Sequence, residues 1–209
     1  MKIYNVKRFV TVILIIGLVA CSASTTLTSR WHDPNYSGAP LNKVFVFAVV
    51  DKEVNRRALE DSYIARLKKH GVTGIASYTV IKDPKHAYDE TQLKAIVDKS
   101  KANAVLISRL VGVSTEETEI PPRVDVIPVR PHRGYYGYYN NTHQAVYSPG
   151  YTQVDKVATL TTKIFSIEKD KIIWEGSTKS FNPETAIEVI KEITTLIVDD
   201  VKSSGLIAN

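Results

Sequence analysis

The chain carries one cysteine, Cys21, in 209 residues. A lone thiol closes no internal disulfide, so the fold must stand on its hydrophobic core. Other absences narrow the chemistry. There is no Gly-x-Ser-x-Gly elbow, no phosphate loop and no His-x-x-x-His pair. Glycines are too sparse in the αβ-patterned part for a dinucleotide site. No internal repeat is visible. These gaps leave no catalytic set, no cofactor site and no metal site, and the chain is expected not to be an enzyme.

What is present begins with a leader. Lys2, Lys7 and Arg8 precede an apolar run from Phe9 to Ala20. This is a signal-peptide pattern, and the run is shorter than the ~20 residues that cross a bilayer as a helix. Its close, Leu18-Val19-Ala20-Cys21, resembles the lipobox of bacterial lipoproteins. That resemblance implies a diacylglycerol on the Cys21 thiol, cleavage after Ala20 and acylation of the new amino terminus. Ser22, where an aspartate would retain such a protein at the inner membrane, implies the outer membrane, facing the periplasm. Three of the 27 basic residues sit in the leader and none of the 22 acidic ones does, so the formal charge of +5 falls to +2 in the mature chain. Near-neutral charge and export both argue against a nucleic-acid partner.

Residues 22–30 are small and polar and read as a flexible tether. With residues 31–42 they form an anchored segment over 21–42, in which Trp31 and Tyr36 are expected to pack on the domain as a lid. Pro34 and Pro40 forbid regular ladder bonding there. The run from Lys43 to Val50 predicts a strand buried on both faces. Residues 52–70 predict a helix with Leu59, Tyr63 and Leu67 inward and Gly71 as the stop. A strand follows from Ile75 to Ile81. Asp89 and Gln92 predict a capping box for a helix over 90–101, with Leu93, Ile96 and Val97 inward. A third strand runs from Ala104 to Val111 and extends towards Thr118. This alternation points to an α/β layer with crossover helices.

Residues 121–151 differ in composition. They hold five of nine prolines and six of eleven tyrosines. A connection this long in a compact domain is functional or disordered. Arg130 and Arg133 stand beside Tyr135, Tyr136, Tyr138 and Tyr139. Flat aromatic faces with hydroxyls, next to planar guanidinium forks, suit a protein interface, a sugar ring or an anionic lipid head group. His132 and His143 lack a close carboxylate or thiol and fall short of a metal-ligand set. Glu116, Glu117 and Glu119 read as exposed charge.

Residues 152–209 complete the domain begun by 43–120. Val157 to Ile167 and Ile172 to Ser180 form a hairpin turning at Glu168-Lys169-Asp170-Lys171. Asn182-Pro183-Glu184 starts a helix with Asn182 as N-cap. Ala186, Ile190, Ile193, Ile197 and Val201 line its inner face, and Gly205 ends it. Asp199 and Asp200 are placed on its polar, solvated side, too divergent to act as an acid/base pair.

Ile173-Trp174-Glu175-Gly176, Phe181-Asn182-Pro183-Glu184 and the helix end at Gly205-Leu206-Ile207 resemble a group of proteobacterial outer-membrane lipoproteins of unknown function. Trp31, Asp33, Pro34, Tyr36 and Gly38 match that group's N-terminal pattern. One departure is Lys101-Ala102-Asn103-Ala104, where relatives show Gly-Ala-Asp-Ala. Element order is similar to the TolB N-terminal domain and to the curli-secretion lipoprotein fold. The expected fold is α/β (α+β): a mixed sheet of about five strands with three helices, ordered strand-helix-strand-helix-strand-insert-strand-strand-helix. The expected role is a non-catalytic binding or assembly module at the envelope. Its lipid sits on Cys21, and its contact is an envelope protein, glycan or lipid meeting Arg130, Arg133 and the four tyrosines.

Overall fold

Val44, Phe45 and Val46 are buried at the centre of a strand, β2 (Lys43–Val49), because both faces of that strand meet apolar side chains. A computed structural model describes residues 24–81, 89–126, 145–183 and 185–208. Among the described residues the chain builds around β2 a six-stranded mixed sheet and a separate two-stranded ribbon, with three α-helices. The α+β expectation holds.

Helix α1 (Glu53–Lys69) returns the chain from β2 to β3 (Thr73–Ala76), and helix α2 (Glu90–Ser100) returns it to β4 (Ala104–Ile120). β2 pairs in parallel with both β3 and β4. The hairpin of β7 (Tyr151–Ser166) and β8 (Lys171–Phe181) adds antiparallel strands beside β4. Helix α3 (Ala186–Ser203) then packs with α1 on one face of the sheet. The last strand is a surprise. Ser24–His32, expected to be a tether, is strand β1 and runs antiparallel to β8. Its threonines suit a strand, and it covers the open edge of β8 that the hairpin alone would leave. The sheet order is β1-β8-β7-β4-β2-β3.

Leu59, Tyr63 and Leu67 of α1 and Ile193, Ile197 and Val201 of α3 meet Val44, Val46, Leu106, Leu160 and Ile164 from the sheet. The Tyr63 hydroxyl sits in this core against Thr162 Oγ1 at 3.1 Å, and Thr162 meets Ser108 Oγ at 3.0 Å. Burial pushes the Tyr63 phenol above its ordinary pKa. A bulge between β7 and β8 leaves Ile173 unpaired, so Ile173 and Trp174 both reach the core.

Two helix ends match expectation and one does not. Asp89 and Gln92 form the reciprocal capping box of α2, and Gly205 follows α3 at φ +77. The N-cap of α3 is Thr185, which accepts from Glu188 N–H, not Asn182. Asn182 instead sits at φ +46, accepts from Lys156 N–H and donates to Asp155, closing the end of the hairpin. Asparagine tolerates that left-handed backbone better than most residues. Lys101 also occupies that region, at φ +54, as the C-cap of α2.

Leu93, expected inward on α2, is 39% exposed, and no residue of α2 is buried. Right-handed crossovers put α2 on the face opposite α1. That face presents Phe47, Val105 and Ile107, each only half covered.

Trp174 lies across Gly176, its neighbour two residues on along the same face. A Cβ added there would stand 2.4 Å from the indole ring. The Trp-x-Gly spacing is therefore a packing requirement. Gly176→Ala is expected to cost about 1–3 kcal/mol by overpacking, read as a lower urea midpoint at unchanged slope.

Candidate functional site

β1 is fastened to the core through one carboxylate. Arg30 pairs with Gly176 across the sheet and reaches over it to Asp200 of α3. The other Asp200 oxygen accepts the Trp174 indole N–H at 3.0 Å. Asp200 is 8% exposed and does not lie on the solvated side where the sequence placed it. Neighbouring helical residues diverge by about 100°, so one of the two aspartates turns in and the other out. Asp199 faces Arg66 at 3.0 Å and His70 at 3.7 Å. The lower end of β1 is held as well. Asp33 N–H donates to Ile173 O, and Lys171 sits 2.5 Å from the Asp33 carboxylate. That lysine, with the Asn35 N–H, holds Asp33 below the ordinary carboxylate range. A depressed carboxylate contributes stability that is complete above the ordinary range and is lost as pH falls through the lowered value. Tyr36 packs against the core as expected, whereas Trp31 stays half exposed on β1.

An apolar crevice lies at the carboxyl end of β2. Its floor is Leu110 and Val113 of β4 with Ala158 and Leu160 of β7. One wall is Lys52, Asn55 and Leu59. The other runs from Pro183 through Ala186 to Val189, Ile190 and Ile193. The crevice has a volume of about 310 Å³ and opens between the N-termini of α1 and α3. Crevices at the carboxyl ends of parallel strands are the usual ligand position in αβ sheets. Apolar side chains dominate the lining, with Asp51, Lys52 and Asn55 its polar members. It can take an apolar chain or face.

A buried ion pair fixes the α1 wall. Arg56 and Glu60 are both fully buried and stand 3.2 Å apart. Glu60 accepts from Ala48 N–H, Ser77 Oγ and Tyr78 N–H. Arg56 donates to Ser77 Oγ and Ile81 O, and its guanidinium lies over Phe47. The pair ends the strand expected over Ile75–Ile81: β3 stops at Ala76, and Ser77–Thr79 becomes a 3₁₀ turn drawn to Glu60. The spacing of Arg56 and Glu60 is i,i+4, a signal that was present in the sequence but resembles an ordinary surface pair.

β4 has a bulge at Val111, and beyond Ser114 and Val157, where β8 ends its pairing with β7, β4 and β7 continue as a two-stranded arm. It runs to the Ile120–Tyr151 pair and continues as β5 (Arg123–Val126) against β6 (Ala145–Ser148). Val113, Val124, Tyr147, Tyr151 and Val154 are each more than half exposed. Of the three glutamates read as exposed charge, Glu116 meets Lys179 at 2.6 Å. Arg130, His132, Arg133, Tyr135, Tyr136, Tyr138, Tyr139 and His143 lie outside the described residues, as does Cys21. Among the described residues no group of three or more His, Cys, Asp or Glu is placed to hold a metal ion.

No family model and no curated protein matches the chain. Among solved structures the chain is similar to PelC from Paraburkholderia phytofirmans, described as a dodecamer, with TM-score 0.44 and 12% identity over 89% of this chain and 99% of that one. It is also similar to the lipoprotein GNA1162 of Neisseria meningitidis, with TM-score 0.40 and 10% identity over 78% of this chain and 99% of that one. At such scores neither likeness carries over a partner, an assembly or an activity.

Removing Glu60 would strand a buried guanidinium. Glu60→Ala is expected to cost about 3–5 kcal/mol in urea unfolding. Glu53→Ala, at the exposed end of the same network, is expected to cost less than about 1 kcal/mol.

Proposed function

We propose that this chain is a lipid-anchored lipoprotein of the outer membrane, facing the periplasm, and a non-catalytic binding or assembly module. Its lipid is carried by Cys21, and its contact arm is the β4–β7 ribbon with the insert of residues 121–151. The leader and its lipobox-like close support the anchor. Among the described residues no helix is long and apolar enough to cross a membrane, which fits attachment by lipid. The resemblance in element order to the TolB N-terminal domain and the curli-secretion lipoprotein is part of the same reading.

The observation that carries the binding role is the bare arm. Two strands with no packed layer gain little stability in water on their own. This pair still exposes Val124, Tyr147, Tyr151 and Val154. Exposed apolar surface of this kind marks an interaction site. Tyr147 and Val124 face each other across the ribbon, an aromatic–aliphatic pair suited to an interface.

Metabolic labelling with palmitate is expected to mark the protein and to fail with Cys21→Ser. A photo-crosslinking residue at Val124, Tyr147 or Val154 is expected to give a discrete adduct in cells, absent from the same residue at Asp98. Adducts that are the same from Asp98 as from the arm would contradict the proposed contact. They would favour a structural lipoprotein without a dedicated partner.

A further inference from the structure

The exposed apolar side chains are not scattered. Strands β2, β3 and β8, the core part of β4 and the N-termini of all three helices share one end of the sheet, since β2 and β3 lead into it and α1, α2 and α3 leave from it. Among the described residues every exposed large apolar side chain except Trp31 stands towards that end or on the arm that leaves it. Val54 and Ile187 are the extreme cases. They occupy the first turns of α1 and α3 on either side of the crevice mouth, 78% and 75% exposed. A first helical turn in water has no use for such residues.

The start of β1 belongs to this end too. Ser24 pairs with Phe181, two residues before Pro183 in the crevice wall. Thr25 pairs with Ser180, and Ser180 with Ala158 on the crevice floor. Two strand spacings make that roughly 10 Å. Only Ser22 and Ala23 separate Ser24 from Cys21. Three residues reach at most about 10 Å. A lipid on Cys21 therefore emerges beside the crevice, and β1, pinned by Arg30 to Asp200, gives the domain no slack to turn away.

We infer that this end of the domain is a membrane-docking surface, its occupant the lipid bilayer that holds the anchor. Val54 and Ile187 enter the acyl boundary, and the crevice lined by Leu110, Val113, Leu160 and Val189 receives apolar lipid chain. The contact is apolar, because at the mouth Asp51, Glu53 and Glu188 outnumber Lys52 and offer no basic patch for anionic head groups. The inference rests on the proposed lipidation of Cys21.

The chain has no other cysteine, so a cysteine introduced into the lipidated protein is its one free thiol. Ile187→Cys, Val54→Cys and Lys169→Cys, the last in the turn at the opposite end, would each carry a polarity-sensitive bimane label. The proteins would be placed in vesicles of phosphatidylethanolamine and phosphatidylglycerol, with or without bromine-tagged acyl chains. The expected result is a blue shift and loss of emission by the brominated chains at positions 187 and 54, unchanged in high salt, with water-like emission at 169. Water-like emission at all three positions in protein that carries palmitate would overturn the docking surface and leave the lipoprotein reading intact. A blue shift at 187 that needs a second copy of the protein and shows no quenching by brominated lipid would also overturn it. Protein without palmitate would overturn both.

Discussion

The hydrogen bond from the Trp174 indole to Asp200, completed by Arg30, is the interaction on which this structure turns. A buried carboxylate is costly unless it is paired and hydrogen-bonded. Asp200 draws its two partners from two neighbouring strands, so helix α3, β8 and β1 are fixed to one another at a single point. Gly176 leaves room for the indole, and its cross-strand partner Arg30 reaches Asp200. A strand rich in serine and threonine buries little apolar side chain besides Leu27, so backbone pairing with β8 and this contact hold it. With this contact it becomes a fixed edge of the sheet.

Much of the framework was legible in local sequence. The apolar run of β2, the i,i+4,i+8 stripe of Leu59, Tyr63 and Leu67, the Asp89–Gln92 box and the stop at Gly205 each depend on neighbours within a turn or two, and each appears as expected. The failures share the opposite cause. β1 read as a tether because its composition is polar and its pairing partner lies 150 residues away. Asp200 read as solvated because the arginine that meets it is 170 residues distant. The strand after α1 read too long because Glu60, from the preceding helix, captures Ser77 and Tyr78. The crevice was invisible for the same reason: its lining comes from four separate stretches of chain that only the folded sheet brings together.

The fold sorts its surface by end. Turns that carry Asp33, Lys101, Lys169 and Lys171 lie at one end of the sheet, and the crevice, the exposed first-turn residues and the departing arm lie at the other. Because β1 is pinned, the proposed anchor inherits a direction. A flexible tether would leave the arm free to sample the periplasm. A pinned strand aims the arm and the apolar end together, which is what a module contacting a fixed envelope component requires.

That consequence depends on β1 being part of the fold in the working protein. Amide hydrogen exchange over residues 25–32 of the lipidated protein tests it directly. Protection of these amides on a par with their β8 partners is the predicted result. Exchange at the rate of an unstructured chain, with β8 still protected, would contradict it.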